Sequence, residues 1–243
     1  MQANTRDRSE EIIRELPVSD ADLEKYQRDG YLIFRGLVSL QDADTLKKEV
    51  LSIMEVIGLG QTKLKQTREY LPGTAVDALV NSPALQKIAS RLIEGEAKVY
   101  LPFTAVKSSN GGGEFHFHQD NQYTQFREPG INLWFALSPM RLENGCLKIL
   151  PGSHLQGNLP SHSPDNDGHR AVTFEPEDFV TVEMEPGDCV AFTRLTVHGS
   201  GPNTTDEHRV GYAVQYYRED MHYSLDGGKT FLSAKENPRY DTG

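Results

Sequence analysis

Cysteine is scarce in this 243-residue chain: Cys146 and Cys189 are the only two, and both stand beside apolar runs that read as strands. Buried free thiols are expected from them, not a disulfide framework or a cysteine-bound metal. Tryptophan is scarcer, with Trp134 alone. No apolar run approaches the ~18 residues that a membrane-spanning helix needs. Positive charge is also short, with 25 Lys and Arg against 35 Asp and Glu and a formal net charge of −10. The cations are scattered, which argues against a nucleic-acid groove, because such a groove needs a basic stripe to displace counterions. Repeats and low-complexity tracts are missing too. The opening MQANTRDRSEEIIRELP is polar and acidic, unlike a secretory or transit signal, and the ending RYDTG is not a peroxisomal address. The expectation is a cytoplasmic protein with a small-molecule partner, with no nucleic acid and no membrane; oligomeric state has no signature here.

What is present describes an ordinary globule, 37% hydrophobic and 25% charged, long enough for one β-rich domain with an ample core. Helical signals fill the first hundred residues. VSDADLEKYQRDG has an N-cap candidate at Ser19 and a stop at Gly30, and YLIFRGLV then reads as a short strand. From Ser39 onward, Leu40, Ala43, Leu46, Val50, Leu51 and Met54 recur at helical spacing. NSPALQKIASRLIEG predicts another helix, capped by Ser82, with Pro83 at its first position and Gly95 just past its end.

The rhythm then changes. AKVYLPFTAVK, EFHFHQD, GINLWFALS, GCLKILP, FVTVEME, DCVAFTRL and RVGYAVQYY are short strand candidates divided by turn-forming NGGG, REPG, LENG and EPGD. That pattern predicts a sandwich or rolled barrel. The expected fold is α+β: a double-stranded β-helix, or jelly-roll, at about 97–218, with helices from about 17–95 packed on its outer face and a C-terminal tail at 219–243, all in one domain. The polar stretch at roughly 154–179 is long for a compact domain and suits a lid.

Within EFHFHQD, a regular strand puts His116, His118 and Asp120 on one face. Two donors about 7 Å apart at Cα and aimed the same way suit neighbouring positions on a metal. The pattern alone is weak, since 8 histidines and 35 acids yield about one His-x-acid match by chance. A second histidine and an oxidant-binding group must be found, and TRLTVHGSGPNTTDEHRVGYAVQYY has both: His198 ends one apolar strand, Arg209 opens the next, and Ser200 lies between. An arginine there could grip a carboxylate with its two-pronged fork, helped by a hydroxyl.

Together these segments resemble the phytanoyl-CoA dioxygenase family of Fe(II)/2-oxoglutarate-dependent oxygenases. The likeness rests on HQD at 118–120, on INLWFALSPMRLENGCLKILPGSH, and on EPGDCVAFTRLTVHGSGPN followed by Arg209, and covers roughly 98–218. It implies His118, Asp120 and His198 as iron ligands, and Arg209 with Ser200 as the clamp on the distal carboxylate of 2-oxoglutarate. Trp134 sits where the family has a tryptophan close to that cosubstrate, although a core aromatic would also sit there. It implies Fe(II), 2-oxoglutarate and O2 as the reactive set and hydroxylation of a small metabolite, with succinate and CO2 released. Gly211 departs from the Arg-x-Ser arrangement of other oxygenase branches, so Ser200 must supply any hydroxyl. Asp120 is present where related halogenases have Ala or Gly, which favours oxidation over halogenation.

His116, Tyr123 and Phe126 are candidates to border the substrate, as is Arg141; some relatives add a lysine or glutamine from the N-terminal half at the cosubstrate site, for which Lys63, Gln61 and Phe103 are weak candidates. His154 reads as a turn residue; His162, His169, His208 and His222 are expected to be exposed. Two rival readings remain: a cupin-type metalloenzyme working without 2-oxoglutarate, and a non-catalytic sensor on the same barrel.

Overall fold

The computed structural model describes residues 12–14, 16–56, 64–65, 67–111, 113–164 and 169–236. The helices begin where their caps stand. Ser19 Oγ accepts from the Asp22 amide and Asp22 accepts from the Ser19 amide, opening α1 (Asp20–Asp29). Gly30 closes it at a φ of 80°, and a Cβ there would stand 2.4 Å from the His154 ring, so only glycine fits. Ser39 caps α2 (Leu40–Val56) by accepting from the Asp42 amide. Thr74 caps α3 (Ala75–Val80), a short helix that periodicity did not reveal. Ser82 and Pro83 open α4 (Pro83–Leu92) as expected. Its stop differs: Glu94, not Gly95, takes the left-handed turn at φ 51°, and the Gly95 amide closes onto the Ser90 carbonyl at 3.1 Å.

Two antiparallel sheets make the core. The larger has the order β1 (Tyr31–Phe34), β11 (Cys189–Thr193), β6 (Gly130–Ala136), β13 (Arg209–Arg218), β3 (Ala97–Lys107), β2 (Leu64–Lys65). The smaller runs β10 (Val180–Val182), β7 (Leu147–Ile149), β12 (His198–Ser200), β4 (Phe115–His118). All seven strand candidates form, but His198, expected to end the apolar strand DCVAFTRLTV, does not: β11 stops at Thr193, and after a turn His198 opens β12, an eighth strand in the smaller sheet. Alternation along β6 sets the layers. Ile131, Leu133 and Phe135 cluster with Leu46, Leu79 and Leu85 of the helices. Trp134 and Ala136 point the other way, to Leu147, Ile149 and Val182 of the smaller sheet. This is the two-sheet jelly-roll with helices against the larger sheet. Each fully buried leucine contributes about 1.5–3 kcal/mol before entropy is counted.

Three expectations need correction. EFHFHQD is not strand throughout: β4 stops at His118, and Asp120–Gln122 forms a tight 3-10 turn. His198 faces His118 while Ser200 faces Phe115, so β4 spends three residues where β12 spends two. That bulge breaks the alternation, and Phe115, not His116, shares the His118 face. The stretch at 154–179 is not one open loop, since β8 (Ser161–His162) pairs with β9 (Ala171–Val172). In the C-terminal stretch, β14 (His222–Ser224) pairs with both β5 (Gln125–Phe126) and β15 (Leu232–Ser233).

Candidate metal centre and active-site cavity

The pairing of β12 with β4 sets His198 directly opposite His118, with ring centroids 4.4 Å apart. Asp120, in the turn after β4, brings its Oδ1 to 3.8 Å from His198 Nε2. One donor atom from each of the three lies within 4.8 Å of the others, and all three residues are buried.

Each donor is oriented by a partner. His118 Nδ1–H donates to the His116 carbonyl at 2.7 Å, and His198 Nδ1–H to the Thr196 carbonyl at 3.0 Å. A carbonyl only accepts, so the proton sits on Nδ1 and Nε2 keeps its lone pair for the centre. Burial, and then the nearness of His198, pulls His118 down to about 4, so its ring is neutral at pH 7. Asp120 Oδ2 accepts from Gln215 Nε2 at 3.0 Å and Asn132 Nδ2 at 3.2 Å, which leaves Oδ1 facing the histidines. Behind them, Arg194 donates to Gln215 Oε1 at 2.8 Å and to the Asp120 carbonyl at 3.0 Å, and its guanidinium lies 4.0 Å from the Phe126 ring centre. Sequence reasoning missed Gln215, Asn132 and Arg194. The signal was there in two polar residues interrupting apolar strands, in INLWFAL and VGYAVQYY.

The triad opens into a cavity of about 350 Å³ between the sheets. Arg209, 3% exposed, lines it 5.2 Å above the Trp134 ring, and its Nε finds no hydrogen-bond partner among the described residues. Burial pulls the guanidinium down to about 9, still charged at pH 7. Ser200 lines the same end. Opposite Arg209 in register stands Lys107, another residue the sequence did not flag. It is fully buried, and its Nζ donates to the carbonyls of Gly113 at 2.6 Å, Gly201 at 2.5 Å and Ser200 at 3.4 Å. Burial, and then the charge of Arg209, pulls it down to about 7.

Of the sequence candidates, His118, Asp120, His198, Arg209, Ser200, Trp134, Tyr123 and the weaker Phe103 all line this cavity. His116 does not: the bulge in β4 turns it away, and it serves through its carbonyl. Phe126 is buried beyond Arg194, where it lines a second cavity. Arg141 bonds the Met140 and Met184 carbonyls away from the site. Gln61 and Lys63 lie outside the described residues. His169, expected to be exposed, is half-buried and lines the cavity against Phe115, with ring centroids 5.2 Å apart. His222 is likewise half-buried, 3.0 Å from Glu128. Both cysteines are free and buried.

Two imidazoles and one carboxylate are the donor set of non-haem iron, and a buried guanidinium whose Nε has no partner among the described residues suits the far carboxylate of a keto acid. The residues therefore fit iron with a 2-oxo acid. Residues 26–211 match the phytanoyl-CoA dioxygenase (PhyH) family. The chain belongs to that family. The probable phytanoyl-CoA dioxygenase of Caenorhabditis elegans is 24% identical over 231 residues, which cover 81% of this chain and 74% of the relative. The peroxisomal phytanoyl-CoA dioxygenase of Homo sapiens is 27% identical over 230 residues, covering 82% and 68%. In fold, the chain is similar to EvdO2 from Micromonospora carbonacea var. aurantiaca, solved in complex with 2-oxoglutarate. The TM-score is 0.68 at 22% identity, covering 93% of this chain and 98% of that one. For a phytanoyl-CoA dioxygenase-family chain carrying this donor set, the cofactors are iron and 2-oxoglutarate.

Proposed function

We propose that this family member is an Fe(II)/2-oxoglutarate-dependent hydroxylase that oxidises an unactivated C–H bond of a small metabolite, releasing succinate and CO2. The reading rests on one observation: the converging donors of His118, Asp120 and His198 share a cavity with Arg209, whose buried Nε has no partner among the described residues. His118, Asp120 and His198 would hold the iron. Arg209 and Ser200 would hold the distal carboxylate of 2-oxoglutarate, with Trp134 against its chain.

Iron and 2-oxoglutarate, when bound, supply from O2 the oxidising power that breaks the C–H bond. The protein's own part is positioning and exclusion. The Thr196 and His116 carbonyls fix the histidine tautomers, and the Gln215 and Asn132 amides turn Asp120 Oδ1 inward. The aromatic wall of Phe115, Tyr123 and Phe192 keeps water from the reacting atoms, and the β8–β9 hairpin, which brings His169 to the mouth, suits a lid. A carboxylate at position 120 favours hydroxylation over halogenation. We read the chain as one catalytic domain working in the cytoplasm. No helix among the described residues is long and apolar enough to cross a membrane.

Anaerobic Fe(II) with 2-oxoglutarate should give a visible charge-transfer band, and Arg209→Ala should weaken it several-fold. Iron binding without a band would turn the reading toward a metalloenzyme that works without 2-oxoglutarate. Stability indifferent to metal and to His118→Ala would turn it toward a sensor.

A further inference from the structure

Four residues lining the cavity carry a full charge: Arg68, Asp120, Arg194 and Arg209. On the oxygenase reading, on which this inference rests, ferrous iron and the dianion of 2-oxoglutarate cancel, and Asp120 offsets Arg209. Arg194 is held by the framework, bonded to Gln215 and to the carbonyls of Asp120 and Thr124. Arg68 is different. Its side chain is exposed at the mouth and makes no hydrogen bond or ion pair among the described residues. Its backbone is nonetheless anchored to β3, because Thr67 and Thr104 exchange bonds of 2.9 Å. In a chain with 35 acids against 25 bases, a cation standing at a cavity mouth without an acid is the less expected arrangement. The same cavity carries apolar and aromatic side chains on its wall, among them Tyr100, Leu101, Phe103 and Phe115.

We propose that the substrate is a small organic anion, with an apolar body along Tyr100, Phe103 and Phe115 and a carboxylate or phosphate at Arg68. The guanidinium fork suits either oxyanion. An exposed ion pair is worth a factor of roughly five at most, and low-dielectric cleft walls strengthen it. An acid should therefore bind about five- to tenfold more tightly than the matching alcohol.

Trp134 is the only tryptophan and lines the cavity, so its emission reports binding without turnover. Protein loaded with Mn(II) and saturating 2-oxoglutarate would be titrated with 3-phenylpropanoate, 2-phenylethyl phosphate, 3-phenylpropan-1-ol and 3-phenylpropylamine. The expected order places one or both oxyanions first and the amine last. Arg68→Ala should level the series and Arg68→Glu should invert it, both with the 2-oxoglutarate titration unchanged. Which oxyanion binds more tightly tells a carboxylate substrate from a phosphate one. Equal affinities, a preference that survives Arg68→Ala, or no binding of either oxyanion overturns the inference. Failure of the wild-type protein to bind 2-oxoglutarate at all overturns the oxygenase reading instead.

Discussion

Gly211 lies flat against Trp134: a Cβ at 211 would come within 2.4 Å of the indole. Trp134 in turn carries the Arg209 guanidinium 5.2 Å from its ring. The missing hydroxyl two residues after Arg209 thus has a physical cause, because the indole fills the space a serine would need. Ser200, on the neighbouring sheet, is the hydroxyl left at that end of the cavity.

Gly211→Ser should push the indole aside and cost about 1–3 kcal/mol of stability. Denaturant titration measures that cost, and the emission of the lone tryptophan reports the displacement. 2-Oxoglutarate should bind roughly tenfold more weakly, by analogy with other misplaced groups in packed sites. A variant with wild-type emission and unchanged cosubstrate affinity would show that Trp134 and Arg209 are not coupled.

Gln215→Leu removes one of the two amides on Asp120 Oδ2 and a neutral partner of Arg194. Loss of such an orienting bond typically weakens metal binding about 10–100-fold. Competition for Mn(II) against a fluorescent chelator would measure the change. Unaltered affinity would mean that Asn132 alone suffices to turn the carboxylate.

Adding Mn(II) to metal-free protein should raise its unfolding free energy, by about 2.7 kcal/mol when the ion stands at 100 times its dissociation constant. His198→Ala should abolish the gain, since the ion then loses the only donor supplied from β12. Calorimetric melting with and without the ion decides the matter. A persistent gain in the variant would place the ion elsewhere.

Lys107 makes stability depend on alkaline pH. Burial and Arg209 pull it to about 7 in the fold, against the ordinary lysine value of 10.5. Between those values the unfolded chain holds a proton that the folded one lacks, so stability rises with pH there, by at most about 1.4 kcal/mol per unit. Below 7 both states are protonated and this slope vanishes. Lys107→Met should remove the rise between pH 7.5 and 9.5 in denaturant titrations. An equal rise in the variant would assign it to other groups.

Much of this was legible in the chain itself. Ser19, Gly30, Ser82 and Pro83 act within a few residues of their own helices, so capping chemistry announced them before any fold was known. The seven strand candidates were marked by alternation and turn residues, which are local as well. His118, Asp120, His198 and Arg209 were visible through ordered motifs resembling a family, not through spacing.

Other features needed the folded chain, because they depend on pairing between distant strands. Whether His198 met His118 was decided by β12 seating against β4, and the bulge in that pairing put Phe115 inside and His116 outside. Asn132 and Gln215 reach the same carboxylate oxygen only because β6 and β13 pair them in register. Lys107 looks like any strand-end lysine until the carbonyls of Gly113, of Ser200 at the end of β12 and of Gly201 close around it. Local sequence determines how each segment bends and which face it buries. Which faces meet, and therefore which polar atoms are left seeking a partner, is set only when the sheets close.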